Sequence, residues 1–216
     1  MKTLVTGGTG LVGSTIDADI KLSTKDVDLR DWDKTLKLFE SLKPTKVIHC
    51  AARVGGLGGN MNYKGEYFYD NIKINTNVLE ASRLVGVKKV VSFLSTCVFP
   101  DDVQYPLSEE KIHLGEPHHS NYPYAYSKRM IDIQSRAYTE QYGVNYVSVI
   151  PTNIYGPNDN FNLQQGHVMP MLIHKCYLAK INGTDLNVWG TGKALREFIY
   201  SEDVGRLTNW VLNNYN

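Results

Sequence analysis

Apolar residues recur along this chain in short solid runs separated by longer amphipathic stretches, and that rhythm predicts the order of its elements. Lys2-Thr3-Leu4-Val5-Thr6 reads as a buried strand. Val47-Ile48-His49-Cys50-Ala51-Ala52, Lys89 to Leu94 and Val144 to Ile150 read as further strands, apolar on both faces as parallel strands are. Between them lie helical patterns. Asp31 is placed to cap a helix from Trp32 to about Leu42, with Leu36, Phe39 and Leu42 on one face and Pro44 as its end. Tyr67 to Val85 forms the next helix and Gly86 its stop; another carries Tyr124 and Lys128, runs to Tyr142 and stops at Gly143. Strands alternating with helices at this spacing predict an α/β fold with a doubly wound parallel sheet.

The pattern changes after Pro157. Asn158-Asp159-Asn160-Phe161 and Gln164-Gln165-Gly166-His167 are loop-like and precede a helix near Met169 to Lys180. Leu186-Asn187-Val188-Trp189 reads as a short strand ending at Gly190-Thr191-Gly192, and Arg196 opens an extended piece into a last helix, Glu202 to Asn213. One crossover is anomalous. A β-α-β connection needs at least ~10 residues, yet only Ser14 to Asp19 separate Gly13 from the apolar Ile20-Lys21-Leu22. Either the first helix is cut to a turn or two, or the second strand is displaced.

The first strand leads at once into Gly7-Gly8-Thr9-Gly10-Leu11-Val12-Gly13. Glycines at 7, 10 and 13 permit a tight turn, close backbone approach to a pyrophosphate and close packing of the next helix on the strand, so the sheet is read as Rossmann-like and dinucleotide-binding. A plain glycine-rich turn is the alternative. Where an acidic residue would grip a ribose hydroxyl stands Ser23-Thr24-Lys25, which favours a 2′-phosphate and hence NADP, or else is a solvated turn. Gly55-Gly56-Leu57-Gly58-Gly59 reads as a flexible loop at a strand's carboxyl end, where open α/β sheets bind ligands. His49 and Cys50 read as core residues with no partner at ligand spacing, and no metal site is expected.

Composition narrows the class. The 216 residues suit one domain, or one with part of a second, and a net charge of +1 gives no long-range pull toward nucleic acid or an anionic membrane. Cys50, Cys97 and Cys176 are odd in number and lack a Cys-x-x-Cys, against a disulfide framework. With no leader-like start and no apolar run of ~18 residues, the chain reads as a cytoplasmic protein. Asn182-Gly183-Thr184, a formal glycosylation acceptor, reads as a turn.

The candidate chemistry lies at Tyr124-Ala125-Tyr126-Ser127-Lys128. On a helix, Tyr124 and Lys128 share a face one turn apart, where an ammonium can act on a phenol. Holding a tyrosine half ionised near pH ~7 requires roughly 4 kcal/mol of differential stabilisation, which a close cation and a cationic cofactor ring can supply together. Spacing alone does not identify the pair: 14 tyrosines and 16 lysines predict about one Tyr-x-x-x-Lys by chance, and Tyr69 with Lys73 is a second. Position decides. Tyr124 lies beyond the strand that delivers Ser95-Thr96-Cys97, whereas Tyr69 and Lys73 read as surface or interface residues. Tyr126 is the alternative tyrosine for the core-facing side.

With these residues assembled, the chain resembles the GDP-L-fucose synthases, the epimerase-reductase branch of the extended short-chain dehydrogenases/reductases. The resemblance rests on the Gly7/Gly10/Gly13 loop, Ala51-Ala52-Arg53-Val54-Gly55-Gly56, Ser95-Thr96-Cys97-Val98-Phe99-Pro100, Tyr124 with Lys128, the run Pro151 to Phe161, Gly166-His167-Val168 and Val188-Trp189-Gly190. The glycine loop and the Tyr-Lys pair are shared by the superfamily; the Ser-Thr-Cys triplet and the asparagine-rich histidine loop belong to this branch.

The resemblance implies NADPH-dependent epimerisation at C3 and C5 and reduction at C4 of GDP-4-keto-6-deoxy-D-mannose. Cys97 and His167 would be the acid-base pair, Tyr124 would protonate the C4 oxygen, Lys128 would lower the tyrosine pKa, and Ser95 would hydrogen-bond the keto oxygen. The alternative for Cys97 is an inert buried thiol. Cofactor contacts are implied for Gly7, Gly10, Leu11, Val12, Gly13, Lys25, Asp28, Leu29, Ala51, Ala52, Lys128, Pro151, Asn153, Ile154 and His167. Substrate contacts are implied for Asn153, Lys175, Trp189 and Arg196, with core packing the alternative for Trp189. Residues 1–157 would be an NADP-binding Rossmann domain with a shortened first crossover. Residues 158–216 would be an incomplete C-terminal substrate-binding region, its last helix packing back on that domain, because family members continue past the position matching Asn216. A homodimer through the helices Tyr67 to Val85 and Tyr124 to Tyr142 is also implied. Two other readings stand beside this one: a non-catalytic nucleotide-binding remnant, and another nucleotide-sugar reaction such as a 4-epimerase, which would need no Cys97/His167 pair.

Overall fold

The computed structural model describes residues 2–215; Met1 and Asn216, the outer bounds of the two expected regions, lie outside it. In chain order the regular elements are β1 (Thr3–Thr6), β2 (Ile20–Leu22), α1 (Trp32–Leu42), β3 (Lys46–His49), α2 (Leu57–Asn62), α3 (Lys64–Leu84), β4 (Lys89–Phe93), α4 (Tyr122–Tyr142), β5 (Asn145–Val149), β6 (Asn153–Tyr155), α5 (Val168–Asn182), β7 (Phe198–Tyr200) and α6 (Ser201–Asn214). The first five strands form one parallel sheet in the order β2-β1-β3-β4-β5, and β6 and β7 form a separate parallel pair.

The solid apolar runs have a simple cause. Leu4, Val47 and Val90 point to one face, where Phe39 of α1, Val78 and Leu79 of α3 and Ile131 of α4 complete a core. Their neighbours Val5, Ile48 and Val91 point to the other face and pack with Ile16 and with Val204 and Leu212 of α6. Period-two alternation therefore buries both sides of each strand. Helix ends obey local rules: Asp31 accepts from the Lys34 amide at 3.1 Å, and Gly143 closes α4 in the left-handed region at φ 65°.

The short crossover is resolved in favour of a lost helix. β2 stands beside β1 in parallel register, Leu4 opposite Ile20, and a three-residue 3₁₀ turn, Gly13–Thr15, replaces the helix. α6 covers that face, and Thr15 Oγ1 donates to the Ser201 carbonyl at 3.0 Å.

Other expectations are corrected. The glycine-rich 55–59 segment is not simply a loop, since residues 57–62 make a short helix. Leu186 to Trp189 is not a strand: among the described residues no neighbouring strand pairs with it, and Leu186, Val188 and Trp189 are exposed. The run Pro151 to Pro157 contains β6, which found its partner β7 far along the chain. No helix among the described residues is long and apolar enough to cross a membrane.

Candidate active site

Because the five strands run parallel, their carboxyl ends deliver three segments to one edge: the glycine loop after β1, Cys50 to Ala52 after β3, and Ser95-Thr96-Cys97 after β4. β1 has β2 on one side and β3 on the other, so the connections diverge there and leave the crevice in which open α/β sheets hold ligands.

The glycine loop fits a pyrophosphate. Gly7 has φ +70°, and a Cβ there would lie 2.8 Å from the Ala51 nitrogen; a Cβ on Gly13 would lie 2.2 Å from the Gly7 carbonyl oxygen. Side chains are thus excluded, and bare backbone faces the crevice beside Ala51 and Ala52, with half-buried Leu11 and Val12 next to it. The loop closes through Gly10 N to Gly7 O and Ser14 N to Gly10 O, both 3.0 Å. What it lacks is a full helix behind it, since the Gly13–Thr15 turn stands in that place.

At the end of β2, Ser23 donates through N and Oγ to Asp26 Oδ2 at 2.7 and 2.8 Å, which folds the turn and leaves Lys25 exposed. The Asp28 carboxylate is committed to Arg30, whose hydrogen bonds draw its pKa down to about 2. The Leu29 side chain lies in the core, so only its backbone faces outward chemistry.

The residues from β4 and α4 come together closely. Lys128 is buried and donates from Nζ to the Phe93 carbonyl at 2.9 Å, while the next residue, Arg129, donates from Nε to the Val98 carbonyl at 2.7 Å. Two consecutive cations of α4 therefore hold the backbone on both sides of Ser95-Thr96-Cys97. Ser95 caps the 3₁₀ turn 96–98 by accepting from the Cys97 amide at 3.5 Å. Burial pushes the Cys97 thiol up, with the Ser95 hydrogen bond and the charge of Lys128 pulling the other way. Burial brings Lys128 down to about 8.

Lys128 Nζ sits 5.9 Å from the centroid of the Tyr124 ring. Although Tyr124 is only half-buried as a residue, desolvation of its phenol pushes the pKa above the ordinary range, and Cys97 and Tyr67 add to it. Within the protein alone, burial thus prevails over the ammonium. The competing pair behaves differently: Tyr69 is exposed and Lys73 Nζ lies 5.6 Å over its ring. Tyr126 lies beneath Arg129, 5.3 Å from guanidinium to ring centroid.

His167 arrives on a separate loop. Its asparagines fold it as a chain of side-chain-to-backbone bonds: Asp159 Oδ1 accepts Asn160 N at 2.7 Å, Asn160 Oδ1 accepts Asn162 N at 3.0 Å, and Asn162 Oδ1 accepts Gln164 N at 2.8 Å. The Gly56 amide donates to the Gln165 carbonyl at 2.9 Å and docks this loop against the exit of β3. His167 then occupies the N-cap position of α5, its side chain making no capping hydrogen bond. Among the described residues no hydrogen bond joins His167 to Cys97 or Tyr124.

The expected substrate residues divide. Lys175 Nζ lies 3.9 Å from the Trp189 ring centroid, and Trp189 is 73% exposed, so it is no core residue. Arg196 stands apart, bonded from Nη1 to the Leu195 carbonyl at 2.7 Å. Asn153 donates to the Glu197 carbonyl at 2.9 Å and helps join β6 to β7, with Ile154 packed against the second core and Pro151 half-buried before it.

Four residues escaped the sequence reading. Asn75 of α3 bonds His49 Nε2 at 3.0 Å through Oδ1 and the Ser127 carbonyl at 3.0 Å through Nδ2, while Thr6 Oγ1 meets His49 Nδ1 at 2.8 Å. Burial, reinforced by Lys128, lowers His49 to about 3, so it is a neutral core link. The others are Arg129, Asp159 and Tyr67, whose hydroxyl a Cβ on Gly55 would meet at 2.4 Å. Only an asparagine on a helix's core-facing side carried a signal.

Residues 3–216 match the model of the NAD dependent epimerase/dehydratase family. The GDP-L-fucose synthase of Dictyostelium discoideum is 55% identical over 98% of this chain and 70% of its own length, and a probable GDP-L-fucose synthase of Drosophila melanogaster is 47% identical over 99% and 72%. The crystal structure of a GDP-L-fucose synthetase from Naegleria fowleri bound to NADP superposes with a TM-score of 0.91 at 50% identity, covering 99% of this chain and 73% of that one. The chain therefore belongs to the NAD dependent epimerase/dehydratase family, with the GDP-L-fucose synthases.

Proposed function

We propose that the protein converts GDP-4-keto-6-deoxy-D-mannose to GDP-L-fucose, inverting C3 and C5 and reducing C4 with NADPH. The observation that supports this reading is the approach of Ser95, Cys97, Tyr124 and Lys128 to one another at the end of β4, in a chain 55% identical to a GDP-L-fucose synthase; the loop that carries His167 docks on the exit of β3. The exposed Lys25 supports NADP, since it offers a cation to a ribose phosphate while the neighbouring Asp26 and Asp28 carboxylates accept from Ser23 and Arg30.

The cofactor would rest on the Gly7 to Gly13 backbone, between Lys25, Asp28 and Leu29 on one side and Ala51, Ala52, Pro151, Asn153 and Ile154 on the other, and would supply the hydride to C4. Every other step falls to this chain. Protons beside a ketone become acidic when the oxygen is held, and Ser95 and Tyr124 hold it. Cys97 and His167 come from separate loops, as inversion requires groups on both faces of the sugar. Lys128 and the Ser95 hydrogen bond favour the thiolate that burial opposes. Tyr124, kept protonated by burial, gives its proton to the C4 oxygen, and Lys128 stabilises the phenolate that remains. Lys175 and Arg196 offer charge to the diphosphate and Trp189 a stacking face.

In this reading residues 1–157 bind the cofactor and 158–216 contribute to the sugar-nucleotide site. Free Cys50, Cys97 and Cys176 suit the reducing cytoplasm. Exposed Phe68, Tyr69, Met130 and Ile133 on α3 and α4 support a homodimer through these helices. Sedimentation should give the mass of two chains; a monomer at all concentrations would remove the dimer.

The deciding assay mixes purified protein with NADPH and GDP-4-keto-6-deoxy-D-mannose and measures cofactor absorbance and product. Oxidation with release of GDP-L-fucose is expected. Cofactor binding without oxidation would overturn the reading.

A further inference from the structure

Asp159 and His167 face each other across the asparagine-rich loop. His167 Nδ1 lies 3.6 Å from Asp159 Oδ1, within reach of an ion pair and beyond a hydrogen bond. Both side chains are short of partners: His167 Nδ1 and Asp159 Oδ2 are buried with no hydrogen bond, and only 4% of the Asp159 side chain is exposed. A carboxylate held so far from water is costly unless something answers it, and the loop itself answers only with the Asn160 amide on Oδ1.

The surroundings single out this partner. The segment 55–62 that docks the loop has no titratable residue, nor do Val168 to Met171 at the start of α5. Further along α5, His174 turns Nδ1 to the Phe161 carbonyl at 2.7 Å, and Lys175 lies on Trp189. Asp159 is the acidic group within ion-pair distance of His167 among the described residues.

We infer that Asp159 is a positioning residue for His167: its carboxylate accepts the Nδ1 proton, fixes the imidazole in one tautomer, and leaves Nε2 as the atom that takes and returns a proton. The bond closes by a small rotation of the ring, as catalytic hydrogen bonds that are long in the free protein commonly do. The carboxylate then also balances the imidazolium formed when Nε2 is protonated. The identity of the proton exchanged at Nε2 rests on the proposed function; the pairing does not.

The test has two arms. In ¹⁵N spectra of the full chain, assigned by the signal lost in His167→Gln, the neutral wild-type ring should carry its proton on Nδ1. Asp159→Asn should move the population to the Nε2-protonated form, because an amide can donate to Nδ1, and Asp159→Glu should restore the wild-type tautomer. In deuterated water, Asp159→Asn should slow deuterium entry into the keto sugar on the order of 10²-fold through kcat, with KM within about twofold, and Asp159→Glu should recover most of the rate. A wild-type ring protonated on Nε2, or an asparagine variant with the wild-type tautomer, overturns the pairing. If wild type exchanges no deuterium, the proposed reaction fails, and the spectra still decide whether Asp159 holds His167.

Discussion

Replacing Tyr124 with phenylalanine is expected to slow NADPH oxidation on the 4-keto sugar on the order of 10³-fold, while NADPH affinity stays within about twofold. The change removes one hydroxyl and leaves the ring, its 5.9 Å approach to Lys128 and the Lys128 bond to Phe93 in place. The phenol is held above its ordinary pKa by burial, Cys97 and Tyr67, so it is protonated in the free protein, and under the proposed function its contribution is the proton given to the C4 oxygen. Cys97 and His167 are unchanged in the variant. Deuterium entry at C3 and C5 should therefore suffer less than reduction does, losing only the share of enolate stabilisation that Tyr124 provides beside Ser95. Cofactor absorbance gives the first rate and fluorescence titration the affinity. Near wild-type oxidation would remove Tyr124 from the proton path, and lost NADPH binding would make its role structural.

What was legible in the sequence was what short-range chemistry decides. Asp31 can cap only the helix directly after it, Gly143 closes α4 because its backbone turns left-handed, and glycines at 7, 10 and 13 directly after the first strand read as a ligand shelf, which the clashes that side chains at 7 and 13 would make with backbone bear out. The Tyr-x-x-x-Lys spacing did not separate two candidates, but the strand preceding each did. Tyr69 and Lys73 form an exposed cation–π pair, whereas Lys128 is tied to the carbonyl that ends β4.

What was not legible depends on partners distant in the chain. Nothing near Arg129 announces that its Nε will hold the Val98 carbonyl, and nothing near Asn75 announces the Ser127 carbonyl. β6 is a strand only because β7 returns beside it, and Leu186 to Trp189, with the better alternation, has no such neighbour among the described residues. The short crossover posed a question the sequence left open; α6, from the other end of the chain, answers it by covering the face that a first helix would have occupied. Local pattern proposes an element, and long-range pairing decides whether it survives.

Lys128→Met should separate stability from activity. Burial holds the Lys128 ammonium at about 8 against an ordinary value of 10.5, so the folded chain keeps this charge at a disadvantage. An unfolded lysine stays protonated until about pH 10.4, and from pH 8 up to that point the unfolded state binds more protons than the folded one. Wild-type stability should therefore rise with pH through this window, and below it the full cost is present. At about 1.4 kcal/mol per unit that cost is roughly 3 kcal/mol, from which about 1 kcal/mol is returned by the hydrogen bond to Phe93, so methionine should gain on the order of 2 kcal/mol at neutral pH. The gain should shrink as pH rises from 8 toward 10.5. Turnover should fall on the order of 10³-fold, since the variant leaves the Tyr124 phenolate unsupported. Urea unfolding near neutrality and again at about pH 10, beside the NADPH assay, measures both. A methionine variant less stable than wild type at neutral pH would mean that the bond to Phe93 outweighs burial and that Lys128 is first a brace for the Ser95 turn. A more stable but inactive variant would mean that the fold tolerates a misplaced charge there for the sake of the phenol beside it.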